Sequence, residues 1–401
     1  MRKVLKVLLA GLAVTALAAV VVLPVAVPPL VENLVCDKLH GLGLPGPRAK
    51  MNLGYCWRNG PGVCGDLRVS LLNTPWRVNA KFAASCCEWS VAATMPEVSF
   101  DERDAVLQAL LRQHPVTAVS NLVFSGSVAL DAKAERTFRK PVPVWSAKLP
   151  IRDLSLSLMA KGKPYSVTGF SVTPAASGIA DHVDIRPAYP WAKAVSAAGF
   201  ELSDFFAAVR VSEKAVLVTE ASAGFCGGQV NLYSAFLDPK NLNTGLTLFL
   251  NDVHAGEALA LFRGFSGEAS GRLHGKVRLF LLKGESVRLS DAFLYSTPGE
   301  IGKLRLTDPA SVTDGLSLAG FDEAAQANVA DALTDLDYSV LRLNLKRGEG
   351  KSATLSTTIR GSATRGQLTV PVDLTLNVNG ELEQLVNAGL SYSKLLKGTK
   401  P

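Results

Sequence analysis

Histidine is scarce in this chain, five in 401 residues, and none stands in the H-E-x-x-H spacing of a helical zinc site. No C-x-x-C occurs, and His40, His114, His182, His254 and His274 are not at ligand spacing from any cysteine pair, so a metal centre is not expected. There is no G-x-S-x-G elbow, and the glycines of GFSGEASGRLHG are spaced for turns and bulges rather than for a phosphate loop. Asp252 and His254 stand two apart, as an acid/base pair can, but a loop-capping aspartate beside a surface histidine is the plainer reading. The residues therefore point away from an enzyme and imply no cofactor. Charge is thin too, at 19% of residues against 48% hydrophobic, a balance that excludes disorder. Lys276, Arg278 and Arg305 alternate with core positions as solvated, gatekeeping charges. A nucleic-acid platform would interleave exposed aromatics with such charges, and these strands read mostly as Leu and Val, so no nucleic-acid partner is expected.

What is present is length, oil and alternation. A chain of 401 residues holds one large or two ordinary domains. Its 34 glycines and 21 prolines are scattered rather than periodic, which makes them turn punctuation. Net charge is +7, with Arg2, Lys3 and Lys6 placed ahead of a run that carries no charge until Glu32. A helix from Lys3 to Leu23 would rise about 30 Å, enough to cross a hydrocarbon core. Residues 4–23 are thus read as a single-pass anchor in the inner membrane, with the basic flank leaving the bulk of the chain in the periplasm. A cleaved signal peptide ending at Ala16-Leu17-Ala18 is the competing reading, though cleavage there strands AVVVLPVAVPPL as an oily tail. Val35 before Cys36 makes a poor lipoprotein signal.

Cys36, Cys56, Cys64, Cys86, Cys87 and Cys226 form an even set, and an exported chain permits their oxidation. Sequence does not choose among the pairings. Cys56 and Cys64 flank the turn-like RNGPG and are the favoured disulfide.

Period-two patterning recurs along the chain. In QLTVPVDLTLNVN, residues 367–379, Leu368, Val370, Val372, Leu374, Leu376 and Val378 take one face and polar residues the other. Val277, Leu279 and Leu281 do the same in KVRLFL, Leu304 and Leu306 in KLRL, and Leu341, Leu343 and Leu345 in LRLNLK. SVRL, LSTTIRG, DLRVSLL, NLVFSGSVAL, DLSLSLM, YSVTGFSV and KAVLV read similarly. Such alternation predicts strands with one buried face, and the short turn-rich connections favour antiparallel neighbours. Helices are few: DEAAQANVADALTDL with Asp322 as N-cap, DERDAVLQALLRQH, Ala255 to Phe262, and ELEQLVNAGLSYSKLL. A soft boundary near 187–200 gives three segments: a membrane anchor at 1–31, a cysteine-containing β region at 32–200, and a more regular β domain at 201–401.

From Ala223 to Val386 the chain resembles the C-terminal domain of the YdbH family, often labelled a "dicarboxylate transport" domain, among the AsmA-like proteins of the bridge-like lipid-transfer superfamily. The resemblance is carried by Gly227-Gly228, by LTLFLNDVHAGEALALF, by GEASGRLHGKVRLFLLKGESVRLSDAFLYSTPGEIGKLRL, and by DYSVLRLNLKRGEG with GSATRGQLTVPVDLTLNVNGELEQLV. It covers a little under half of the chain. The chain is short for that family, and Cys36 to Cys87 has no counterpart in it. The resemblance implies a mainly β fold, a long curved antiparallel sheet forming an open apolar groove with a few packing helices. Phospholipid is the implied cargo, and a small outer-membrane lipoprotein adding a strand to the sheet edge the implied partner. The alternating aliphatic residues named above are then the groove candidates. The competing reading is that they pack on a helix or an opposing sheet, as any half-buried strand does. A scaffold for envelope assembly that carries no lipid is the alternative function. A small dianion wants convergent Arg and Lys groups, which the oily faces lack.

Overall fold

The computed structural model describes residues 26–381 except 42, 45, 58–60, 86–87, 114–118, 138, 161–162, 180–181, 198–199, 213–214, 239–242, 261–266, 282–287, 308–322, 348–351 and 366–367. The fold is mainly β: among the described residues there are twenty-two strands, antiparallel in every described pairing, and a few short helices. The chain divides into two compact units, Met1–Glu201 and Leu202–Pro401. No described helix is long and apolar enough to cross a membrane, and residues 4–23 lie outside the described residues.

The first described element of unit 1 is helix α1, over residues 26–41. This helix was not anticipated, because Pro28 and Pro29, which lack the backbone N–H a helix uses, obscure it in the sequence. Its inner stripe of Pro28, Val31, Glu32, Val35, Cys36 and Leu39 follows a helical period, while Leu30 and Leu34 are exposed. The Glu32 carboxylate accepts the backbone N–H of Met51 at 2.6 Å, and the Cys36 thiol reaches the Pro47 carbonyl at 3.5 Å. Both contacts fall on β1 (Pro47–Trp57), which among the described residues pairs only with β2 (Pro61–Leu71). The helix thereby covers an edge that would otherwise present unpaired backbone groups.

Antiparallel pairing continues through β3 (Arg77–Ser85) and β4 (Trp89–Asp101) to β5 (Val119–Thr137). At 19 residues β5 is long enough to serve two partners along one side, β6 (Lys140–Lys148) and β7 (Ile151–Ala160). The first branch runs on to β9 (Ala175–Ile179) and β10 (His182–Ile185), the second to β8 (Lys163–Val172) and β11 (Trp191–Ala197). Helix α2 (Ala105–Gln113) starts at Asp104, whose carboxylate accepts the N–H groups of Val106 and Leu107. Its other oxygen takes the Trp76 indole N–H at 2.8 Å, and Trp76 stacks on Phe100.

Unit 2 is a second ladder: β12 (Phe200–Val211), β13 (Val216–Phe225), β14 (Gly228–Leu237), β15 (Thr244–His254), β17 (Arg272–Leu281), β18 (Arg288–Ser296), β20 (Leu336–Arg347), β21 (Ser352–Arg365) and β22 (Leu368–Glu381). Short β16 (Gly267–Ala269) pairs with β19 (Gly302–Leu306), which leans on the first turn of β20. Helices α3 (Ala255–Ala260) and α4 (Glu323–Thr334) pack against this end. α4 occupies most of the expected DEAAQANVADALTDL span, and that span's last residue, Leu336, instead starts β20 at 0% exposure. Asp322 and the ELEQLVNAGLSYSKLL segment lie outside the described residues.

The expected Cys56–Cys64 disulfide is corrected by register. Cys64 stands opposite Gly54 and Cys56 opposite Gly62. The two thiols are diagonal neighbours, for which Cα atoms lie about 7–8 Å apart, beyond the usual reach of an S–S bridge. No two of Cys36, Cys56, Cys64 and Cys226 are bonded to each other, and Cys86 and Cys87 lie outside the described residues.

Candidate functional site

Residues directly opposite one another across an antiparallel pair point to the same side of the sheet. Following the partners strand to strand therefore shows whether the oily positions share a face. In unit 2 one such row runs Leu232, Leu248, Val277, Ala292, Leu345, Leu355, Val378. The next runs Val230, Leu250, Gly275, Leu294, Leu343, Thr357, Leu376, and beyond the first lies Leu246 opposite Leu279. Leu341, Ile359 and Leu374 form a further row, with Gly361 opposite Val372 and Ala363 opposite Val370. Leu281 and Leu368 fall on this same side by register, opposite Thr244 and Arg365. The described residues do not extend to the side chains of Leu281, Leu368, Leu376 and Val378.

Two irregularities keep the face continuous. In β20, Leu336 and Tyr338 are even-numbered, whereas Leu341, Leu343 and Leu345 are odd. A register shift between Tyr338 and Val340 absorbs the change, so all five remain on one side. In β15 the shift between Leu250 and Val253 does the same for Leu246, Leu248, Leu250 and Val253, with Asp252 at φ 55° in the bulge.

Two regions of the face differ in what covers them. At the helix-capped end, Ala255, Leu273, Leu304, Leu333, Leu336, Tyr338, Leu341, Ile359 and Ala363 form a buried cluster, joined by Leu306, Leu343, Val372 and Leu374. Here α4 lies on the sheet through Val329, Ala332 and Leu333, at spacing i, i+3, i+4. Tyr338 is 1% exposed and donates its hydroxyl to the Ser270 carbonyl at 2.6 Å. Burial pushes its pKa up to about 12, with Glu300 adding to the effect, so it stays uncharged. A Cβ at Gly302 would stand 2.2 Å from the Tyr338 ring, so the close strand approach requires glycine there. Leu304, Leu341, Leu306, Leu343, Val372 and Leu374 are thus in or against a core filled by the protein itself.

Toward the other end the cover gives out among the described residues. Leu246, Leu248, Val277, Leu279 and Leu294 are half-buried and belong to neither buried cluster; Leu345 and Ala353 form a small cluster with Ala292 and Leu355. Val370, at the margin of β22, is 38% exposed. Apart from Tyr338, and Arg365 at the margin opposite Leu368, the rows named above carry no ionisable residue.

Unit 1 carries an apolar face of its own, in smaller residues. Met51, Leu67, Ala80, Ala93, Ala132, Ala147 and Ala176 make one row, and Leu53, Gly65, Phe82, Val91, Ala134, Trp145 and Gly178 the next. Of these rows' members, Val91 is 39% exposed and none is in the buried core. Alternation of alanine with polar residues is a weak signal, which is why the sequence did not announce this face.

The titratable groups gather elsewhere. Asp252 approaches His274 at 3.6 Å rather than His254, whose Nδ1 meets Glu257 at 2.9 Å. Burial raises the Cys226 thiol pKa, which opposes thiolate chemistry, and Glu257 adds to it. Arg305 pairs with Asp335 at 2.8 Å, on the polar side. No group of three or more metal-ligating side chains converges among the described residues. Comparison with known proteins finds no matching family model, no matching curated protein and no matching solved structure.

Proposed function

We propose that this chain carries phospholipid acyl chains along the apolar face of its sheet, between the inner and outer membranes of an envelope. The observation that carries the reading is the uncharged aliphatic face of unit 2, continuous through its strands and left half-exposed beyond the helix-capped end. From β14 to β22 that face crosses seven strands, about 29 Å at ~4.8 Å per spacing, close to the thickness of a bilayer's hydrocarbon core. A 16-carbon chain held in water costs roughly 12 kcal/mol at about 0.8 kcal/mol per CH₂, so a sheltered path removes most of the barrier to crossing an aqueous gap. The step is physical transfer and needs no catalytic group. In this reading residues 4–23 anchor the chain in the inner membrane, the sheet bends into an open groove, and headgroups ride at its wet margin. The resemblance to the YdbH family supports the same picture, including a lipoprotein strand at the sheet edge.

The test places a photoreactive amino acid at Leu248 or Leu279 in the full chain, in its native envelope. Phospholipid adducts at both positions are expected. A folded protein that gives no lipid adduct at either position refutes carriage and leaves the scaffold reading, under which Leu279→Asp alters stability alone.

A further inference from the structure

The opposite side of unit 2 holds a feature that acyl-chain carriage does not use. Tyr233 in β14, Phe249 in β15, Lys276 in β17, Phe293 and Tyr295 in β18 and Arg342 in β20 all project to that side. Register sets them there: Phe249 faces Lys276, Lys276 faces Phe293, and Tyr295 faces Arg342. The aromatics are in mutual contact, Tyr233 with Phe249 at 5.4 Å and Phe293 with Tyr295 at 5.6 Å between ring centroids. Yet Tyr233 is 58% and Phe293 37% exposed, and Lys276 and Arg342 are exposed as well. Large rings left open to water in a cluster mark a surface that meets something. The same side bears Arg272, Lys276, Arg278, Arg342 and Lys346 against Glu220, which stands opposite Tyr233, and Asp252, Asp291 and Asp337, with the cations concentrated over β17 and β20. The excess is positive, so the partner is negative.

We infer that this aromatic and cationic patch docks on the surface of an anionic phospholipid bilayer. Phenylalanine and tyrosine place their rings among headgroups and upper acyl carbons, while lysine and arginine reach the phosphates. A bilayer suits the patch better than a single-stranded nucleic acid. The rings lean on one another at 53° and 33° instead of standing as separate platforms between which bases would slot. On the reading of the N-terminal run, uncharged from Val7 to Val31, as a membrane anchor, the chain is tied to a bilayer. The inference does not depend on acyl chains occupying the other face.

The experiment reconstitutes the full chain into vesicles of phosphatidylglycerol with phosphatidylcholine, or of phosphatidylcholine alone, with photoreactive phenylalanine analogues at 233 or 293. Lipid adducts are expected at both positions in the anionic vesicles, and few in the neutral ones. Lys276→Gln with Arg342→Gln should lower the ratio of docked to undocked protein roughly thirty-fold, since each cation near an anionic surface contributes about a factor of five. Leu248→Asp, which bears on the other face, should leave these adducts unchanged while abolishing those at Leu279; failure of carriage and failure of docking are thus told apart. Absence of adducts at 233 and 293 in fully incorporated anionic vesicles overturns the inference. So do adducts equally abundant in neutral vesicles, or cross-links in whole envelopes that go to protein or nucleic acid instead of lipid.

Discussion

The contrast between the capped and uncapped regions of one face makes a quantitative prediction about leucine truncation. Leu341 is 6% exposed in a cluster closed by α4, so Leu341→Ala removes fully packed methyl groups and should cost about 2–5 kcal/mol of unfolding free energy. Leu248 is half-buried and outside both buried clusters, so Leu248→Ala gives up only part of its transfer term, on the order of 1 kcal/mol, and leaves no closed cavity. Urea denaturation of the two variants, followed by tryptophan fluorescence, reads the midpoints at unchanged slope. The lipid bound to the protein should respond in the opposite order, falling in Leu248→Ala and persisting in Leu341→Ala below its denaturation midpoint. Equal stability losses would mean that Leu248 is packed by protein after all, and the reasoning from the uncapped region would fail.

Tyr338 gives a pH prediction with a definite sign. Its folded pKa lies above the ordinary value of 10.0, at about 12, so its contribution is fully present below pH 10 and is lost as pH rises toward 12. The loss is ~3 kcal/mol for a shift of about two units, and Tyr338→Phe should flatten that part of the stability curve. Gly302→Ala drives a methyl into the Tyr338 ring and should destabilise by about 1–3 kcal/mol, a loss that Gly302→Ala with Tyr338→Ala should partly relieve. Asp104→Ala removes the cap of α2 and the acceptor of Trp76, and should cost about 1 kcal/mol for the cap alone, read as a lower midpoint with altered Trp76 emission. Glu32→Ala uncovers the Met51 amide and should raise concentration-dependent self-association in light scattering, with little change in midpoint.

Alternation made the strands legible: KVRLFL lies in β17, KLRL in β19, LRLNLK in β20 and the stretch at 368–378 in β22. It did so because a leucine or valine at every second position has one interpretation in a sheet and none in a helix. The pattern could not show that Leu336 and Tyr338 share a side with Leu341, because a bulge swaps parity without leaving a residue signature at Ser339 or Val340. Nor could it separate a leucine under α4 from one beyond it. That distinction depends on where Val329 and Leu333 come to rest, a long-range fact. The favoured cysteine pair went astray for a related reason. Proximity around a turn does not fix which residues stand opposite, and register put glycines across from both thiols. The aromatic patch was missed because Tyr233, Phe249 and Phe293 come from three separate strands, each contributing one ring to what reads locally as ordinary strand.

The carboxylate that α1 lends to Met51 has a consequence for how copies of this chain can meet. A second molecule seeking to extend the sheet beside β1 must first evict Glu32 and lift the helix from Pro47, so that rim behaves as a latch against self-templating. Growth from it is therefore gated by a local unfolding step rather than by diffusion, and it should be slow even when the protein is crowded.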